Sequence, residues 1–78
     1  MPTVLRWKGY RFYFWSGDRK EPPHVHVRKG RSEAKIWLQP VAVAKAVDVA
    51  DHELNEIVRK IEDRNEALLE AWHDHFGY

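Results

Sequence analysis

The stretch "EPPHVHVRKG", residues 21–30, decides the fold. Two prolines run into an alternation of histidine and valine, which ends in a basic tail. Period two marks a β-strand, in which successive side chains point to opposite faces. A strand over 24–29 sends Val25 and Val27 to one side of a sheet. It sends His24, His26 and Arg28 to the other. What covers each side then sets both the architecture and the candidate site.

Upstream, "YRFYFWS" (10–16) alternates in the same way. Tyr10, Phe12 and Phe14 share one face; Arg11, Tyr13 and Trp15 share the other. "TVLRW" (3–7) is a short β-branched and aromatic strand, and Lys8-Gly9 after it is a turn signal. "GDRKEPP" (17–23) is a polar loop, stiffened at its end by Pro22 and Pro23. Downstream, "GRSE" (30–33) turns the chain and "AKIWL" (34–38) is a further strand, which Pro40 interrupts. "VAVAKAVDV" (41–49) has alternating valines but alanines that would tolerate a helix; it reads as strand or extended chain.

From Asp51 the period changes. Leu54, Ile57, Val58, Ile61, Leu68, Leu69, Trp72 and Phe76 recur at three- and four-residue intervals, with Asn65 a polar interruption on the stripe. This predicts one amphipathic helix over 51–76, capped by Asp51 and stopped at Gly77. The expectation is a single α+β domain, 1–78. A four- or five-stranded antiparallel sheet within 1–49 carries one long C-terminal helix, 51–76, on one face.

One helix covers one face. The covered face must be the apolar one: Phe12, Phe14, Val25, Val27, Ile36 and Leu38. Their neighbours then form the open face: Arg11, Tyr13, Trp15, His24, His26, Arg28, Lys35 and Trp37. Three aromatics, two histidines and several cations are unusual on a merely solvated surface. Such a face suits stacked nucleic-acid bases or a second protein chain. A helix of roughly 25 residues is also about 37 Å long. A strand of six or seven residues spans roughly 20 Å. Trp72 and Phe76 would then overhang the sheet and favour a dimer or partner, unless a bend near Arg64-Asn65 folds the end back.

A chain of 78 residues buries only about 60% of its unfolded surface. It has no cysteine, which removes disulfides and thiolate zinc sites as staples. Four Trp, three Tyr and three Phe must supply the core. Residues 1–40 hold nine Lys/Arg against three acids, +6; residues 41–78 hold four against nine, −5. The basic half points to an anionic ligand or an acidic partner; opposite charges that only keep the domain soluble are the alternative. No apolar run is long enough to span a membrane, and the N-terminus lacks the apolar core of a signal peptide. A cytoplasmic protein with no membrane partner and no cofactor is expected.

The His24/His26 pair has three readings. As a metal site it needs a third ligand from Glu21, Asp18, His73 or His75, and no spacing demands one. As an acid/base pair it would cleave RNA without a metal. His24 and His26 would act on the phosphodiester, with Glu21 orienting one imidazole. Arg11, Arg28 and Lys35 would hold phosphate, beside Tyr13, Trp15 and Trp37. As a structural pair the histidines only stack on Tyr13 or Trp15, or bond across an interface.

The chain resembles the small bacterial proteins grouped as domain of unknown function 4160. The likeness runs nearly end to end. It rests on "MPTVLRWKGYRFYFWS" (1–16), "EPPHVHVRKG" (21–30), "EAKIWL" (33–38) and "DHELNEIVRKIEDRNEALLEAWHDHF" (51–76), with "EPPHVHV" the specific part. Members of that family are often encoded beside another small domain, and such pairs are proposed as toxin–antitoxin modules. The resemblance therefore implies a cognate small protein as partner, and the open face adds RNA or a second copy of the chain. Family members often begin the helix with a Ser-Asp-His-Glu capping box. Here Ala50 precedes Asp51-His52-Glu53, which leaves Asp51 as the expected cap.

Overall fold

Alternation over 24–29 is realised as the middle strand of a five-stranded antiparallel meander. The computed structural model describes residues 3–15, 17 and 20–77. The strands are β1 (Thr3–Trp7), β2 (Tyr10–Tyr13), β3 (His24–Lys29), β4 (Ser32–Leu38) and β5 (Val41–Val47). They lie side by side in chain order. Lys8 and Gly9, at φ 50° and 82°, make the two-residue turn from β1 to β2. Positive φ at both central positions matches the strand twist, and this is why a glycine stands there. Ala44 is the extra residue where β5 slips against β4. β2 ends at Tyr13, so Phe14 and Trp15 follow the strand instead of extending it.

The apolar face is the covered one. Phe12, Phe14, Val25, Val27, Ile36 and Leu38 are all buried, and Tyr10 and Ala34 join them. Ile57, Ile61, Leu68 and Trp72 close the core from the helical side. No helix among the described residues is long and apolar enough to cross a membrane.

The single long helix is corrected. The C-terminal segment forms two helices, α1 (Asp51–Asp63) and α2 (Asn65–Phe76), broken at Arg64 with φ −109° and ψ 15°. The cause lies in the sheet. Asn65 Nδ2 donates to the Leu38 carbonyl at 2.7 Å, tying the break to the end of β4. An unbroken 26-residue helix would measure about 39 Å. The whole domain extends only 33 Å along its longest axis. The break brings Leu68 and Trp72 back onto the core and removes the overhang.

The N-cap is corrected too. Ala50 holds the extended cap conformation, with φ −64° and ψ 146°, and no side chain bonds the first turn. Asp51 and Glu53 lie within that turn, where their charge favours the helix dipole. Gly77 stops α2 in the left-handed region, its N–H donating to the His73 carbonyl at 2.7 Å. Ala50→Ser would supply the missing hydroxyl acceptor in a backbone already shaped for it. A gain of about 1 kcal/mol is expected. That raises the thermal midpoint by roughly 4–8 °C in a domain of this size. Thermal unfolding followed by circular dichroism checks it; an unchanged midpoint refutes it.

Candidate functional site

The register of the meander sorts the open face into three rows that cross the strands. The first pairs His24 with Trp37 and Ala42. The second runs Thr3, Tyr13, His26, Lys35, Lys45. The third runs Arg6, Arg11, Arg28, Glu33, Val47. Successive rows are one pleat repeat apart, roughly 7 Å.

The middle row is the best-formed part. The Tyr13 and His26 rings stack at 5.3 Å between centroids and 24° between planes. The Arg11 guanidinium sits over Tyr13 at 4.5 Å, and Lys35 Nζ lies over Trp37 at 4.7 Å. Both cations stand where the ring quadrupole attracts them. A groove of about 340 Å³ opens here, lined by Tyr13, His26, Glu33, Lys35 and Lys45 among others. That volume lies at the small end of ligand sites, which run from about 300 to 1,000 Å³.

The placing of both histidines on an accessible surface is corrected for one of them. His26 is half-buried and lines the groove. His24 is fully buried. Its ring lies 5.2 Å from Trp72, 5.4 Å from Trp37 and 5.1 Å from His26. The break at Arg64 is the reason, because it returns Trp72 to this end of the sheet. His24 Nδ1 lies 2.9 Å from the Pro22 carbonyl. A carbonyl only accepts, so Nδ1 carries the proton. The Pro23 carbonyl accepts from the Leu38 N–H at 3.0 Å. The two prolines thus present their carbonyls to β3 and β4, and the His24 end of "EPPHVHV" is built into the framework.

The other expected residues divide. Arg11, Tyr13, Lys35 and Trp37 are half-buried on the open face, and Arg28 is exposed there. Trp15 stands beyond the end of β2, 55% exposed. Glu21 joins Lys35 in an ion pair at 2.5 Å. Asp18 lies outside the described residues. Among the described residues, no group of three or more His, Asp or Glu is placed to hold a metal ion.

Three charged residues of the face escaped sequence reading: Arg6, Glu33 and Lys45. Arg6 had a signal. Leu5 and Trp7 pack on the core, so Arg6 must face outward. The two-residue turn at Lys8-Gly9 then sets it opposite Arg11. Glu33 and Lys45 approach each other at 4.0 Å across β4 and β5, a pairing that needs the slip at Ala44 and was not legible.

A family model described as "Domain of unknown function (DUF4160)" matches residues 9–73. No curated protein and no solved structure matches the chain.

Proposed function

We propose a function on the premise that the chain belongs to the domain of unknown function 4160 family. It binds single-stranded RNA across the open sheet face, as the RNA-binding member of a two-protein, toxin–antitoxin-like module. The observation that carries this reading is the groove over β2 to β5, where a Tyr13–His26 stack is flanked by Arg11, Lys35 and Lys45. Aromatic faces hold bases of any sequence, and surrounding cations hold the backbone. Binding without cleavage fits the site better than catalysis. Metal-free cleavage through the 2′-OH needs an acid and a base that both reach the substrate. His26 reaches the groove; His24 is fully buried.

The test is fluorescence anisotropy with a short unstructured RNA. Tyr13→Ala with His26→Ala should weaken binding ~10-fold or more, since each lost stacking contact is worth about 1–3 kcal/mol. Both residues are half-buried on the open face, so circular dichroism should show the fold retained. Unchanged affinity in the folded double variant would sink the reading.

A second reading has its own observation. Trp15 is 55% exposed, and Val43 and Val47 on the edge strand β5 are 43% and 39% exposed. Large apolar groups in the open suit a protein contact with a cognate small protein or a second copy of the chain. Salt separates the two. RNA affinity falls steeply as salt rises, whereas an aromatic protein contact changes far less.

A further inference from the structure

The third row of the open face carries two cations, Arg6 and Arg28, that the proposed function has not used. Arg6, Arg11 and Arg28 are direct cross-strand partners on three successive strands. Like charges set opposite each other destabilise a sheet. The row ends on one acid, Glu33, opposite Arg28, yet that carboxylate approaches Lys45 at 4.0 Å. Among the described residues, no ion pair involves Arg6, Arg11 or Arg28. Arg6 and Arg28 are exposed, and Arg11 rests on the Tyr13 ring at 4.5 Å. Three guanidinium groups on adjacent strands, with no anion drawn to them, form a site shaped for several anions in line.

We propose that Arg6, Arg11 and Arg28 are a phosphate track for the backbone of the single-stranded RNA, which crosses the β-strands at right angles. This rests on the RNA-binding reading and supplies its orientation. Neighbouring strands lie about 4.8 Å apart, so the track spans roughly 10 Å between its outer roots. Flexible arginine side chains widen that reach, and each guanidinium offers a planar fork that grips phosphate oxygens in pairs. The Tyr13–His26 stack stands one row away, roughly 7 Å along the strands. Bases extending from phosphates on the track therefore arrive over those rings. Arg11 joins the rows, because the same guanidinium that belongs to the track covers Tyr13.

The experiment is the salt dependence of oligouridine binding by the full chain. Each phosphate neutralised on a single strand adds about −0.7 to the slope of log K against log salt. Arg6→Gln should lower the size of that slope by about 0.7 and weaken binding several-fold at low salt. Arg28→Gln should do the same. Arg31→Gln is the control: Arg31 is exposed in the turn between β3 and β4 and lies off the row, so both quantities should hold. Equal effects from Arg6→Gln and Arg31→Gln would mean diffuse charge and would overturn the track while RNA binding stood. No binding of oligouridine by the unaltered chain would overturn the RNA reading and the track together.

Discussion

Trp72→Ala is expected to cost about 3–5 kcal/mol, the usual penalty for emptying a buried tryptophan site. A domain of this length has on the order of 4–12 kcal/mol to lose. The variant should unfold at a much lower urea midpoint, or be largely unfolded at 37 °C. The reason is position as well as size. Trp72 is fully buried and meets Phe76 at 4.2 Å, Phe14 at 5.4 Å edge-on and His24 at 5.2 Å. It is where α2, the end of β2 and the start of β3 meet. Trp72→Phe keeps an aromatic ring and should lose distinctly less. Urea unfolding followed by far-ultraviolet circular dichroism measures both. A Trp72→Ala midpoint equal to that of the unaltered protein would show that α2 does not hold the fold together.

The same residue explains what could be read from the chain and what could not. The alternation of 24–29 places Val25 and Val27 in the core, and all of β3 has the expected limits. The covered face follows from Phe12, Phe14, Ile36 and Leu38, because one layer of helix must hide one apolar face. The turn at Lys8-Gly9 and the stop at Gly77 follow from backbone angles that favour glycine. These are local facts, and local sequence carries them.

The break at Arg64 is of another kind. The apolar stripe runs on through it, from Ile61 to Leu68 and Trp72, so periodicity alone prolongs the helix. What ends α1 is a hydrogen bond from Asn65 to a carbonyl 27 positions away, on Leu38. The polar interruption at Asn65 was visible; its partner was not. His24 follows from that break. Strand alternation correctly gives its row, opposite Trp37. It says nothing of which side chains close over the end of that row. So His26, mid-strand, remains at the groove, while His24, at the strand's first position, is sealed by a helix whose path the sequence left open.

Raising the pH through 10 to 12 is expected to destabilise the protein through Tyr10. The ring is buried on the covered face, and its hydroxyl donates to the Glu53 carboxylate on α1. That bond needs the hydroxyl proton. The bond itself, then burial, then the negative charge of Glu53 and Glu56 push the Tyr10 pKa up from 10.0 to about 12. In the unfolded chain Tyr10 releases its proton near pH 10, before the folded chain does. Deprotonation therefore favours the unfolded state. The stabilisation is whole below pH 10 and is lost as the pH climbs to about 12. Two pH units correspond to at most about 2.7 kcal/mol. Glu53 is only half-buried, and water weakens its hold, so a loss on the order of 1–2 kcal/mol is expected. Tyr10→Phe keeps the ring and removes the titrating group. Its stability should start lower at pH 8 and fall less between pH 10 and 12. Urea midpoints for both proteins across that range decide it. Equal falls in the two proteins would assign the alkaline loss to groups other than Tyr10, and would leave the β2–α1 contact without its proton-dependent share.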